Sequence, residues 1–246
     1  FPLSQDDISI ISKALNVLKQ YKGFKSFREA EELILKMERS LSTRKLYAGK
    51  CIFFEEVENA KGLEYLNFLF EAVKNKKTLT LDYKPFYEQE ALKKVIHPYF
   101  LKEFNNRWYL IGMEDATAKI QHIALDRIVN VEIMTEKEFK ENGKPDPDHY
   151  FDSIFGITIP ENADMENIIL QFKIFRANYV LTKPIHASQK VLEQNDRFIT
   201  ISMQLIPNKE LIALLLSFGD DVKILQPDSL AKTIRDMHKN AFLQYE

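Results

Sequence analysis

The chain has 246 residues, 45% of them hydrophobic and 28% charged, with 34 Lys+Arg against 36 Asp+Glu and a formal charge of −2. That length supports a real core and one to three domains, and the near-balance of charge argues against gripping duplex DNA over a broad face. A single cysteine, Cys51, excludes an intrachain disulfide and fits a cytoplasmic protein, and no apolar run approaches the ~20 residues that would span a bilayer.

The chain opens on Phe1 without a signal-peptide pattern, which reads as a piece of a longer protein or a product trimmed at its front. Ser4 and Asp7 have capping-box spacing, and Ile8, Ile11, Leu15 and Leu18 then recur at helical intervals. After Lys22-Gly23, Ser26 is a candidate cap with Glu29 three residues on. Phe27, Ala30, Ile34, Met37 and Leu41 step by three and four. These two helices predict an α-hairpin that serves as a connector or dimer helix pair. Cys51–Phe54 reads as a short strand. A third helix carries Leu63, Leu66, Phe70 and Val73, with Lys74, Lys76 and Lys77 at its end, where cations suit the helix dipole.

From Thr78 the period changes to two. Residues 78–83, 95–102, 107–112, 119–124 and 128–133 are strand candidates separated by polar turns. Five short strands with no long helix between them predict a small barrel. The stretch 142–148, with two prolines and a glycine, is the strongest linker in the chain. Beyond it, a strand from Ile168 through Ile174, a helix over 177–182, strands over 185–194 and 198–206, a helix over 209–218 ended by Gly219, a strand over 222–225 and a helix capped by Asp228 follow in turn. The order βαββαβ plus one helix is the ferredoxin-like split pattern. The fold class is therefore α+β: a helical connector over 1–62, a barrel over 63–140, a linker over 141–165 and a ferredoxin-like domain over 166–246.

Four stretches carry a family resemblance. Arg107-Trp-Tyr-Leu-Ile-Gly112 resembles the signature of the WYL domain. His97-Pro-Tyr-Phe-Leu-Lys102 resembles the family's His-Pro strand, Leu125-Asp-Arg-Ile128 its Leu-Asp-Arg-Ile strand, and Tyr83 stands where its first strand places a tyrosine. His186-Ala-Ser-Gln189, Phe218-Gly219 and Val222 to Pro227 resemble the extension domain that follows many WYL domains. The resemblance implies an SH3-like or Sm-like β-barrel that senses a ligand within a dimeric bacterial transcriptional regulator. Duplex DNA would then be reached only through an N-terminal winged helix that is missing here. The implied partners are a second copy of the chain and an effector, either a small molecule or single-stranded nucleic acid. Tyr83, His97, Arg107, Tyr109 and Arg127 are carried over as site candidates. In place of a basic residue often found before Leu-Asp-Arg-Ile, this chain has Gln121 and His122. Gln lacks the bidentate charge-assisted reach of arginine, and His122 compensates in part.

Taken on their own chemistry, Trp108 and Leu110 share one strand face and Arg107, Tyr109 and Ile111 the other. Trp108 reads as core packing. Asp126 and Arg127, as neighbours on a strand, would point to opposite faces, so Asp126 is not expected to partner Arg127. None of the five histidines stands in metal-ligand spacing, and G-x-S-x-G, Walker, G-x-G-x-x-G and H-E-x-x-H signatures are lacking. The expectation is a non-enzymatic module without metal or cofactor. Two further readings are a single-strand nucleic-acid-binding module using Arg107, Arg127 and aromatic stacking, and an enzyme using an interdomain cleft.

Overall fold

The computed structural model describes residues 61–141 and 143–246, together with Ser4, Asp6, Asp7, Ile10, Ile11, Glu29, Glu32, Leu33 and Lys36. The α-hairpin turn, the stripe from Phe27 to Leu41 and the Cys51–Phe54 strand lie outside the described residues. Ser4 and Asp7 do form the capping box: Ser4 N and Oγ donate to Asp7 Oδ2 at 2.9 and 2.7 Å, and Asp7 N donates back to Ser4 Oγ at 3.2 Å. The chain divides into two compact units, 1–144 and 145–246.

In the first unit a 3-10 turn, Leu63–Tyr65, leads into α1, Leu66–Lys74. This helix buries Leu66, Leu69 and Ala72. Phe70, expected on the apolar stripe, is 41% exposed, because the buried arc is centred on Leu69. The strands are β1 (Leu79–Tyr83), β2 (Leu92–Phe104), β3 (Arg107–Glu114), β4 (Ile120–Ala124) and β5 (Ile128–Ile133). They form one antiparallel sheet in the order β4-β3-β2-β1-β5. Among the described residues no closed barrel forms. β4 and β5 are joined end to end through the 3-10 turn Leu125–Arg127, so their backbones meet at one corner and no ladder joins the two edges.

β2 outruns its expected length at both ends. Asn105 and Asn106, with φ of 53° and 60°, make a two-residue primed turn that keeps the ladder paired to Phe104↔Arg107. Pro98 has no N–H to give, and the register shifts between it and Phe100. The core is Leu79, Leu81, Ile96, Leu110, Ile123 and Leu125 against α1, with Trp108 packed at its margin.

The second unit runs β6 (Glu166–Lys173), α2 (Ile174–Thr182), β7 (Lys190–Gln194), β8 (Phe198–Leu205), α3 (Lys209–Ser217), a 3-10 turn Gly219–Asp221, β9 (Val222–Gln226) and α4 (Asp228–Phe242). Its antiparallel sheet has the order β7-β8-β6-β9. Phe172, Ile168, Leu170, Ile199, Ile201 and Leu215 centre its core. Ile174 opens α2 rather than closing β6. Residues 185–189 are a turn rather than strand: the Gln189 side chain accepts from Ile185 N at 2.9 Å, taking a backbone donor a ladder would need, and donates to Val180 O in α2 at 2.8 Å. The residues after the proline-rich stretch pack into this unit, with Ile154 and Ile157 buried. Asn208 locks them. Its Nδ2 donates to Phe155 O and Thr158 O, both at 2.8 Å, while its Oδ1 caps α3 at Leu211 N. No helix among the described residues is long and apolar enough to cross a membrane.

Candidate functional site

The corner where β4 passes into β5 brings two arginines, a carboxylate and two aromatic rings together. Because Leu125–Arg127 is a 3-10 turn and not strand, Asp126 and Arg127 are not forced to opposite faces. Asp126 is the partner that strand alternation argued against. Its Oδ2 is 3.0 Å from Arg107 Nε, and its Oδ1 is 3.8 Å from Arg127 Nε. Arg127 Nη1 also reaches Tyr83 Oη at 3.5 Å, and its guanidinium lies 4.4 Å from the centre of the Phe86 ring. Lys84 N donates to Arg127 O at 2.9 Å, tying the end of β1 to the turn. Gly62 backs the turn so closely that a Cβ there would stand 2.3 Å from Leu125 C and 2.6 Å from Asp126 N.

Two arginines share one carboxylate here, so the corner carries a net positive charge. Arg127 Nε and Asp126 Oδ1 are both buried and, among the described residues, neither has a hydrogen-bond partner. At 3.8 Å they are too far apart to satisfy one another. An orphaned buried polar atom costs about 1–3 kcal/mol.

The other candidates separate. The ladder places Arg107, Tyr109 and His122 on the sheet face away from Leu110, Tyr109 opposite Ala124 and His122 opposite Ile111. Arg107 is 45% exposed and reaches the corner through Asp126, whereas Tyr109 and His122 are half-buried along the adjoining strip. Tyr83 lies at the rim of the core face.

His97, expected beside them, is elsewhere. It neighbours Thr78, about 17 Å along β1 from Tyr83 at ~3.3 Å per residue. It is 0% exposed. Its Nδ1 accepts from Lys140 N at 3.2 Å and lies 3.3 Å from Thr78 Oγ1, and its Nε2 is 3.0 Å from Asp115 Oδ1. A neutral ring with Nδ1 accepting carries its proton on Nε2 and donates it to Asp115. The geometry makes His97 a buried, hydrogen-bonded residue of the sheet.

Asp115 is the hub of that network. It also pairs with Lys137 and with Lys140 Nζ at 2.7 Å, pinning residues 137–140 across β2, where Phe139 meets the rings of His97 and Tyr99 edge-on. Hydrogen bonds from Lys137, Lys140 and His97 hold its carboxyl far below the usual carboxylate range. A depressed folded pKa contributes stability above the unfolded value of ~3.9 and loses it as pH falls toward the folded one. Asp115→Asn is therefore expected to lower the denaturant midpoint at neutral pH. The gap to the parent protein should stay constant above about pH 5 and narrow below about pH 4. A gap that widened in acid would refute the pairing.

The sequence reading missed Asp126, Phe86 and Gly62. Phe86-Tyr87 lies in the 84–90 turn, and two adjacent aromatics in a polar loop were the available signal; both are exposed, at 71% and 85%. Among the described residues no cluster of His, Cys, Asp or Glu could hold a metal ion.

Residues 64–133 match the WYL domain and residues 165–242 match the WCX domain. No curated protein matches the chain. Among solved structures, proteasome accessory factor B/C (PafBC) of Arthrobacter aurescens is similar at 17% identity and TM-score 0.35, over 79% of this chain and 29% of that one. The crystal structure of a CRISPR Cas-related protein is similar at 13% identity and TM-score 0.46, over 75% of this chain and 52% of that one. This chain thus spans about half or less of the length of those two. The two matches follow the order of the two sheets, so the chain carries a WYL domain over residues 64–133 followed by a WCX domain over residues 165–242.

Proposed function

We propose that this chain is the effector-sensing and dimerisation portion of a bacterial transcriptional regulator, and that an anionic effector binds at the Arg107–Asp126–Arg127 corner. The observation that carries the reading is that Arg107 and Arg127 converge on the single carboxylate of Asp126, which leaves one guanidinium charge uncompensated at the turn. Arginine presents a planar fork that suits phosphate or carboxylate. Tyr83 orients that fork and Phe86 supports it. Binding would act on a dimer only through unequal affinity for two of its states, and a winged helix joined through residues 1–62 would read the change. The strand order β4-β3-β2-β1-β5 supports an open SH3-like sheet for the WYL domain. The order β7-β8-β6-β9 with helices after β6, β8 and β9 supports a ferredoxin-like WCX domain. Cytoplasmic location and a non-enzymatic role belong to the same reading.

A single-stranded nucleic acid is the second effector class, favoured by one observation. Phe86 stands exposed against Arg127, and Tyr87, next in the chain, is exposed as well, as bases stacking next to a phosphate contact would need. Mass spectrometry of species that co-purify with the protein, compared with Arg127→Ala, tests the site. Loss of a charge-assisted contact of about 1.5–3 kcal/mol predicts a fall in effector affinity of roughly tenfold to a hundredfold. Equal occupancy of both preparations would end the assignment. Oligothymidylate binding that weakens steeply with salt separates the strand from a small effector.

A further inference from the structure

The WCX unit holds a groove that the proposed effector site does not use. It lies between β9 and α4, with a volume of about 330 Å³. Val222 and Ile224 form one wall and Ala231 and Ile234 the other, with Ile224 9% and Ile234 4% exposed. Ala231, Ile234, Arg235 and His238 recur at i, i+3, i+4 and i+7, so one face of α4 carries both the apolar wall and two polar heads at its mouth.

The charges at that mouth do not cancel. Asp220 also lines the groove, but its carboxylate is held by Lys173 Nζ at 2.5 Å, outside the group of lining residues. Among the described residues, neither Arg235 nor His238 is engaged in an ion pair or side-chain hydrogen bond. An apolar floor beneath an uncommitted guanidinium and an imidazole is complementary to a molecule with an apolar body and one anionic head. The volume lies at the small end of ligand pockets, which run about 300–1,000 Å³. At ~30 Å³ per water-sized unit it admits roughly ten to fifteen non-hydrogen atoms.

We propose that this groove binds a small amphiphilic anion, its hydrocarbon or aromatic body on Val222, Ile224, Ala231 and Ile234 and its carboxylate on Arg235, with His238 donating a second hydrogen bond. Arg235 takes the head because its fork can meet both oxygens of a carboxylate. The site is separate from the effector corner of the WYL unit.

Octanoate is the test ligand, titrated into the full chain while the amide and methyl resonances of Val222, Ala231 and Ile234 are followed. Saturable shifts are expected with octanoate, with octan-1-ol binding at least about tenfold more weakly, as loss of one charge-assisted contact implies. Octyl phosphate binding as well as octanoate would keep the anionic head and broaden its identity. Arg235→Ala, an exposed change that should leave the fold intact, is expected to cut octanoate affinity about tenfold. Arg127→Ala is expected to leave it unchanged, which keeps this test distinct from that of the effector corner. The proposal is overturned by absence of saturable shifts, by octan-1-ol binding as tightly as octanoate, by undiminished binding in Arg235→Ala, or by inorganic phosphate alone moving the same resonances equally.

Discussion

Gly112→Ala is expected to destabilise the WYL unit by about 3 kcal/mol or more, at or beyond the upper end of ordinary overpacking. An added Cβ would stand 2.6 Å from His97 O, 2.7 Å from Ile96 Cγ2 and 3.1 Å from Pro98 Cα. Two of those three atoms belong to the β2 backbone, which cannot rotate aside as a side-chain tip could. Gly112 pairs with Pro98 where the β2–β3 register shifts. To admit a methyl group the two strands would have to part there, and β2 and β3 are both central in the sheet. A domain with ~5–15 kcal/mol of total stability tolerates that poorly. Urea unfolding followed by far-UV circular dichroism measures it. An unchanged midpoint would mean that the ladder opens at that point without penalty, contrary to the packing described.

The same glycine shows what the sequence could and could not reveal. Alternation in Leu79, Leu81 and Tyr83, and in Trp108 and Leu110, was readable because a half-buried strand repeats every two residues, and those side chains do face one core. The capping pair Ser4 and Asp7 was readable because both partners sit within one helical turn. Closure of the sheet was not readable. It depends on whether β4 and β5 pair side by side, and a three-residue 3-10 turn looks like strand when Leu125-Asp-Arg-Ile128 is read as one run. That misreading also hid Asp126, whose role follows from leaving strand alternation. The place of His97, apart from the corner, was unreadable for a different reason. Its partners Asp115 and Lys140 lie 18 and 43 residues away, and no local pattern announces such a network. Convergence of Arg107 with Arg127 likewise required the fold, since the two arginines meet through a carboxylate at the far end of the intervening hairpin.

Gly62→Ala joins fold and site in one measurement. Gly62 has φ of 87°, a left-handed conformation costing an L side chain roughly 1–2 kcal/mol. Its Cβ would meet Leu125 C at 2.3 Å, Leu125 O at 2.4 Å and Asp126 N at 2.6 Å, all of them backbone atoms of the turn that carries Asp126 and Arg127. The turn must shift. Tyr65, three residues on, anchors the same region by donating to Val129 O at 2.8 Å, so the shift is opposed by the neighbouring contact. The substitution is expected to lower stability by about 3 kcal/mol or more, combining backbone strain with overpacking. It is also expected to weaken effector or oligothymidylate binding by at least about tenfold, because Arg127 no longer faces Asp126 and Tyr83 in the same geometry. Arg127→Ala, by contrast, should reduce binding with much less effect on the midpoint, since it removes one partly exposed side chain and leaves the backbone of the turn in place. The two variants together separate scaffold from ligand contact. A large fall in midpoint with binding intact in the surviving folded Gly62→Ala protein would show that the turn supports the sheet without forming the site.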